Sequence, residues 1–245
     1  MLSFNVVSMK LTYLYNSGFM IECERFMVVL DFCRDSPELS VQQALASFQG
    51  KIYVLVSHWH PDHFNRTVLH WRQIHPEINY IFSDDIRENM HWMTFKGVSF
   101  LKKGEVREDE LLRIQAFGST DVGGSFLLDI EGKRIFHAGD LNNWHWNEEA
   151  SLQEIQAAER DFFQEVDLLA TTASQLDVVM FPVDPRLGKD YMLGAQQFVG
   201  RIPTKIFVPM HFGDDFSKAQ AFRPFAEAAG CRFIGWQHSG ECVDL

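Results

Sequence analysis

Very little in this chain of 245 residues belongs to secreted or redox chemistry. It has 4 cysteines, Cys23, Cys33, Cys231 and Cys242, far apart and without a CxxC pair. That excludes a disulfide scaffold or a cysteine zinc site and fits reduced, mostly buried thiols. Positive charge is also scarce. Lys and Arg number 22 against 33 Asp and Glu, a formal net charge of -11, which works against nucleic acid or an anionic membrane as a bulk electrostatic partner. No apolar run reaches the length needed to cross a bilayer, and Met1–Ser8 shows no basic segment leading into an apolar one. The expectation is a cytoplasmic protein with no membrane contact. Linkers rich in Pro, Gly or Ser and long charge runs are missing too, so residues 1–245 are expected to form a single domain.

What is present is a large apolar fraction, 46%, enough for one enzyme-sized core. The first third reads as a meander of short strands, Leu11–Tyr15, Phe19–Cys23 and Phe26–Asp31, split by Asn16-Ser17-Gly18 and Glu24-Arg25. Ser36-Pro37-Glu38 supplies helix-start chemistry for a run to Phe48, and Ile52–Val56 is a continuous apolar strand. A helix at Thr67–His75, a strand at Tyr80–Phe82 and a helix capped by Ser83 follow. Strands return from Val98 to Ala138, with turns at Gly123-Gly124 and Glu131-Gly132. A long helix is expected over Leu152–Ala173, then strands at Val178–Phe181, Ile206–Pro209 and Arg232–Ile234, alternating with helices at Ala195–Val199 and Lys218–Ala229. A strand-rich part followed by alternating helices and strands points to α/β (α+β) sheets covered by helices.

Ten histidines occur, and three crowd into Ser57-His58-Trp59-His60-Pro61-Asp62-His63, where the Ile52–Val56 strand ends. Residues two apart on a loop can point the same way, so His58 and His60 can share one metal while Asp62 and His63 reach a second. Imidazole and carboxylate suit zinc, manganese or iron, and two such ions can ionise a bridging water near neutral pH. The competing reading is a polar loop whose histidines only hydrogen-bond. The HxHxDH spacing at the C-terminal end of a strand, where α/β sheets place their chemistry, speaks against it.

This loop resembles that of the metallo-β-lactamase superfamily. The resemblance implies a four-layer αββα sandwich, a bridging aspartate after one strand and a last histidine after a later one. Phe136-His137-Ala138-Gly139-Asp140 and Val208-Pro209-Met210-His211 fit those places, so Asp140 is the implied bridge and His211 the implied last ligand of the second site. The family commonly adds a histidine between the loop and the bridge. Here Gly118–Gly124 has none, and Asp121 is the nearest substitute. Over Met9–His211 the chain is similar to the ascorbate-6-phosphate lactonase-like branch, from which it departs by carrying Asn16 where a histidine is frequent.

The implied activity is that of an enzyme, a metal-dependent hydrolase with two divalent ions, zinc foremost and manganese or iron as alternatives. A metal-bridging hydroxide would attack and Asp62 would orient it. A small-molecule substrate is expected, a lactone, ester or phosphorylated compound, with an RNA or phosphodiester hydrolase and a non-hydrolytic metal-binding or redox module as the rival readings. A homo-oligomer is compatible with the sequence. Trp144, Trp146 and Arg186 are candidate substrate contacts, set against core anchoring of the tryptophans and an Arg186–Asp184 ion pair. His137 and Asp31 are candidates to steady a metal ligand from behind.

Overall fold

The apolar runs at the start of the chain pair as an antiparallel meander, β1 (Lys10–Tyr15), β2 (Gly18–Glu22) and β3 (Phe26–Leu30), in a computed structural model that describes residues 9–245. Met1–Ser8, and the expectation that no leader begins there, lie outside the described residues. After β3 the pairing turns parallel, adding β4 (Lys51–Val56), β5 (Ile78–Ser83) and β6 (Val98–Leu101) in order. Parallel neighbours need crossovers, because the chain must return before it can run alongside. Here these contain α1 (Val41–Ser47), a 3-10 helix (Arg66–Gln73) and α2 (Asp84–Asn89).

A second sheet repeats the plan. β7 (Val106–Glu108), β8 (Leu112–Phe117), β9 (Ser125–Ile130) and β10 (Lys133–His137) are antiparallel, and β11 (Leu176–Pro182), β12 (Thr204–Met210) and β13 (Arg232–Phe233) extend the sheet in parallel. α3 (Leu152–Thr172), α4 (Leu193–Arg201), α5 (Phe216–Gln220) and α6 (Arg223–Ala228) lie in its crossovers. β14 (Cys242–Asp244) returns to the first sheet beside β1, so each sheet has seven strands.

Side-chain alternation decides which face meets what. Leu11, Tyr13, Phe19, Val28, Leu30 and Leu55 share one core with the second sheet, whereas Met27, Val29, Val54, Val56 and Phe82 pack with Leu45 of α1, Trp71 and Ile86. Phe162, Val166 and Leu169 of α3 and Phe198 of α4 belong to the core of the second sheet. The layers run helix, sheet, sheet, helix, the expected sandwich. β4 has an apolar side chain on both faces, which is why it reads as an unbroken apolar run. Each such large side chain contributes about 1.5–3 kcal/mol on burial. Among the described residues no helix is long and apolar enough to cross a membrane.

Local chemistry moves several boundaries. α3 begins at a capping box, with Ser151 accepting from the Glu154 N–H and the Glu154 carboxylate accepting from the Ser151 N–H. The helix expected over Lys218–Ala229 is two helices, α5 and α6, because Pro224 has no N–H to donate and its ring would crowd the Gln220 carbonyl. α1 starts at Val41 rather than at Ser36: Ser36 Oγ instead accepts from Leu39 N at 3.0 Å and Asp35 Oδ1 from Val41 N at 2.9 Å, a side-chain-to-backbone turn that competes with helix.

Gly139 lies just past β10 at φ 52°, and a Cβ there would stand 2.5 Å from the Gly124 carbonyl oxygen and 3.0 Å from Ser57 Cβ. Gly139→Ala is expected to destabilise the protein by about 2 kcal/mol, lowering Tm by roughly 4–8 °C in thermal unfolding. An unchanged Tm would show that neither neighbour is rigid.

Candidate metal centre

Five strand exits converge at one end of the two sheets. Asp31 follows β3, the loop Ser57–His63 follows β4, Asp140 follows β10, Asp184 follows β11 and His211 follows β12. The β4 loop is wound tightly, with the N–H groups of His63 and Phe64 both donating to the His60 carbonyl at 3.0 and 2.9 Å. That turn brings Asp62 and His63 back over the sheet end. Asn16, Asp31 and His211 have φ of 52°, 43° and 60°, a left-handed backbone that costs non-glycine residues free energy and concentrates at functional sites.

Asp140 is the hinge of the arrangement. Its Oδ2 stands 3.4 Å from His58 Nε2, while Oδ1 stands 3.1 Å from His63 Nε2 and 3.3 Å from His211 Nε2. On the Oδ2 side, His60 Nδ1 is 3.1 Å from His58 Nε2 and 3.7 Å from Asp121 Oδ2. On the Oδ1 side, Asp62 Oδ2 is 3.5 Å from His63 Nε2 and 3.4 Å from His211 Nε2. The ligand atoms of His58, His60, Asp121 and Asp140 lie within 4.8 Å of one another, and so do those of Asp62, His63 and His211. His63 Nε2, His211 Nε2 and Asp140 Oδ1 are buried without a well-formed hydrogen bond. Buried polar atoms left this way are costly, and a cation placed among them would satisfy all three. Imidazole with carboxylate is a donor set for zinc, manganese or iron, so the residues present fit such an ion.

A layer of outward hydrogen bonds aims these groups. His63 Nδ1 donates to Asp31 Oδ2 at 2.7 Å, and Asp31 also accepts from the Ser57 N–H at 2.7 Å and the Ser57 hydroxyl at 2.5 Å. His58 Nδ1 lies 3.0 Å from Ser57 Oγ, and His211 Nδ1 donates to Asp184 Oδ2 at 2.9 Å. In each ring Nδ1 is tied outward, which leaves Nε2 facing the centre. Asn16 Nδ2 donates to Asp62 Oδ2 at 3.0 Å.

Charge follows the same geometry. Burial alone would lower His63 and His211, but Asp140, with Asp31 for one and Asp184 and Asp62 for the other, raises His63 well above its ordinary value and His211 to about 9. Burial and the neighbouring His63 push His58 down to about 3. Against the effect of burial, His211 and His63 hold the carboxyls of Asp62 and Asp140 well below the usual range.

The remaining sequence candidates separate by position. Asp31 sits directly behind His63. His137 reaches elsewhere, its Nε2 donating to the Ser17 carbonyl at 2.8 Å and its Nδ1 accepting from Gly139 N at 3.2 Å, so it holds the β1–β2 turn and the Gly139 bend and touches no candidate ligand. Asp121 stands beside His60 with its side chain 45% exposed. Trp144 and Trp146 are half-buried against the core, yet they line a cavity of about 340 Å³ together with Thr120, Asp121, Asp140 and Arg186. The Arg186–Asp184 ion pair is formed, at 2.5 Å. Sequence reasoning did not anticipate Asp184, Ser57 or Asn16 as partners of the candidate ligands. Their one signal is that each stands at a strand exit or in the first hairpin turn.

No family model matches the chain. The chain is 24% identical over 216 residues to a UPF0173 metal-dependent hydrolase of Alkaliphilus metalliredigens, covering 83% of this chain and 85% of that protein. Among solved structures it is similar to Igni18, a metallo hydrolase of the archaeon Ignicoccus hospitalis, with a TM-score of 0.66 at 19% identity over 97% of this chain and 98% of the other. The metallo-β-lactamase fold protein YhfI of Bacillus subtilis gives a TM-score of 0.64 at 12% identity over 97% and 99% of the two chains. These likenesses establish the metallo-β-lactamase fold.

Metal loading must compete with protons on His63 and His211. At pH 7 the metal-free protein is expected to release protons when titrated with zinc(II) or manganese(II), and its metal affinity is expected to climb with pH through about 9, where His211 is half deprotonated. The raised His211 value stabilises the metal-free fold fully below the ordinary histidine value of 6.5, and that contribution is lost as pH rises through about 9, while His63, also raised, adds in the same direction. Calorimetry in buffers of different ionisation enthalpy checks the release, and zero protons released at pH 7 would contradict it.

Proposed function

We propose, from the premise that this chain is a metal-dependent hydrolase of the metallo-β-lactamase superfamily, that it hydrolyses a small molecule at the Asp140 centre. The observation that carries the reading is the division of Asp140 between His58 on one oxygen and His63 with His211 on the other. In this reading His58, His60, Asp121 and Asp140 hold one divalent ion, and Asp62, His63, His211 and Asp140 the other. Ions bound there would supply Lewis acidity and a water ionised near neutral pH. Zinc suits the imidazole-rich second set, and the added carboxylate of Asp121 makes manganese or iron fitting at the first.

The protein's own residues do the rest. Asp62 is fixed by Asn16 and has a side chain 46% exposed, so it can orient the attacking water. Asp31 and Asp184 keep the Nε2 atoms of His63 and His211 turned inward, which preorganises the centre. The substrate is a lactone, an ester or a phosphorylated compound, in line with the ascorbate-6-phosphate lactonase-like resemblance, and the enzyme works in the cytoplasm. Among the described residues, Asp121, Asp184, Asp214 and Asp215 line the cavities at the centre with Arg186 as the one Lys or Arg of the lining, Asp214 being paired with Arg34 just outside it. Such an acidic lining repels a polyanionic strand, which disfavours the RNA or phosphodiester reading. The redox reading draws on Asp121 alone, because carboxylate-rich nitrogen and oxygen sites also suit iron.

Elemental analysis of protein purified without added metal, followed by lactone, ester and phosphodiester screens, tests the proposal. Hydrolysis is expected in at least one class. His60→Ala should abolish it, Asp62→Asn should lower kcat by roughly 10²–10⁴-fold, and Asp121→Ala should lose metal from one site. Activity that survives His60→Ala removes the centre from the mechanism, and bound iron with no hydrolysis favours the redox reading. Full occupancy in Asp121→Ala removes that residue from the ligands.

A further inference from the structure

Arg186 has an incomplete set of partners. Its Nε donates to Asp184 Oδ1 and Oδ2 at 3.0 and 2.8 Å, and its Nη2 to Asp184 Oδ2 at 2.5 Å. Nη2 also lies 3.3 Å from His211 Nδ1. Among the described residues Nη1 has no hydrogen bond or ion pair, although the side chain is 63% exposed. Asp184 also accepts from the Arg186 N–H at 2.9 Å, so one carboxylate holds both the backbone and the guanidinium of Arg186, which reduces the rotamer freedom to be lost when a ligand binds.

Arg186 also stands where two cavities meet. It lines the cavity of about 340 Å³ beside Asp121, Asp140, Trp144 and Trp146, and another of about 360 Å³ beside Asn16, Asp62 and His211. Every other charged side chain lining the two, among the described residues, is acidic or a candidate ligand. Across the smaller cavity, Trp144 is pinned by its indole N–H to the Asp140 carbonyl at 2.8 Å and lies nearly parallel to Trp146, at 17° with ring centroids 6.3 Å apart. Aromatic walls, one clamped cation and a volume of this size suit a small planar organic acid.

We propose that the free Nη1 edge of Arg186 selects substrates carrying a carboxylate or phosphate close to the scissile bond, and that Trp144 and Trp146 hold a flat apolar part of the same molecule. This names the substrate class of the centre and rests on the hydrolytic reading above. Arg186 is thus a specificity residue, distinct from the groups that would hold metal or move a proton.

The test uses full-length, metal-loaded protein and two matched esters, monophenyl succinate and its neutral methyl diester, each hydrolysed by one water to a succinate and phenol, the phenol being read by absorbance. Wild type is expected to favour the anionic ester in kcat/KM by about tenfold or more, the size of one charge-assisted hydrogen bond. Arg186→Gln should collapse that ratio through KM, and Arg186→Lys should restore part of it. Metal content is measured on each variant, because loss of metal slows both esters and leaves the ratio standing. A ratio near one in wild type, or the same ratio in Arg186→Gln, overturns the proposal.

Absence of hydrolysis of either ester by wild type counts against the hydrolytic reading. Binding then decides the inference by itself. Phenylphosphonate is titrated calorimetrically into the metal-free protein, where no ion competes for the anion. The Kd should weaken about tenfold in Arg186→Gln and several-fold in Trp144→Ala. No binding to wild type, or an unchanged Kd in Arg186→Gln, overturns the anion site, and an unchanged Kd in Trp144→Ala overturns the aromatic part.

Discussion

A carboxylate buried as deeply as that of Asp140 must be answered by positive charge or by hydrogen-bond donors, and the architecture around it can be understood as that answer. Three imidazoles from two loops point their Nε2 atoms at its two oxygens. Those rings are themselves buried, so each needs a partner on its far side, supplied by Asp31, Ser57 and Asp184. Gly139 lets the chain turn in the narrow space between Ser57 and Gly124 so that Asp140 can reach the middle. Strand exits, left-handed residues and close-packed loops are consequences of this one requirement.

The two sheets share a plan, and the centre uses both copies differently. In each, an antiparallel meander is followed by a strand exit and then by parallel strands joined through helices. Asp31 after β3 and Asp140 after β10 hold equivalent places. The first backs a histidine, and the second faces the whole cluster. The loop after β4 carries most candidate ligands, whereas the loop after its counterpart β11 carries Asp184 and Arg186, which touch His211 from outside. Each half supplies both ligands and the groups that aim them, the first through Asp31, Ser57 and Asn16 and the second through Asp184.

How much of this could be read from sequence depended on whether a relation was local. His58, His60, Asp62 and His63 sit on one short loop, so their convergence is visible as spacing. Asp140 and His211 are legible through the family resemblance, which implies a ligand at the end of each of two later apolar strands. Most strands are legible from apolar runs between turns and the covering helices from the shift to alternating helix and strand, while the two-sheet sandwich is what the resemblance implies. What stayed hidden were pairings between distant segments: Asn16 with Asp62 and Asp184 with His211 lie 46 and 27 residues apart, and only the packed sheets bring them together, whereas Asp31 is legible as a backing residue but not its partner His63, 32 residues away. His137 is close to Asp140 in sequence, and the fold turns its Nε2 toward Ser17 and leaves its Nδ1 3.9 Å from Asp31 Oδ2, behind the residue that backs His63. The break between α5 and α6 was legible at Pro224 and was overridden by the apolar period around it.

The few cysteines acquire a second meaning at the centre. All four are free thiols, so no covalent bond ties one part of the chain to another. His58 and His60 come from the first sheet, Asp140 and His211 from the second, and ions shared among them would join distant stretches of backbone through coordination. Unlike a disulfide, such a tie would form only after both sheets have docked, so it would stabilise the protein by binding the folded chain alone and not by restraining the unfolded one. The centre would then be the protein's reversible cross-link, and chelators would act on it as reductants act on a secreted domain.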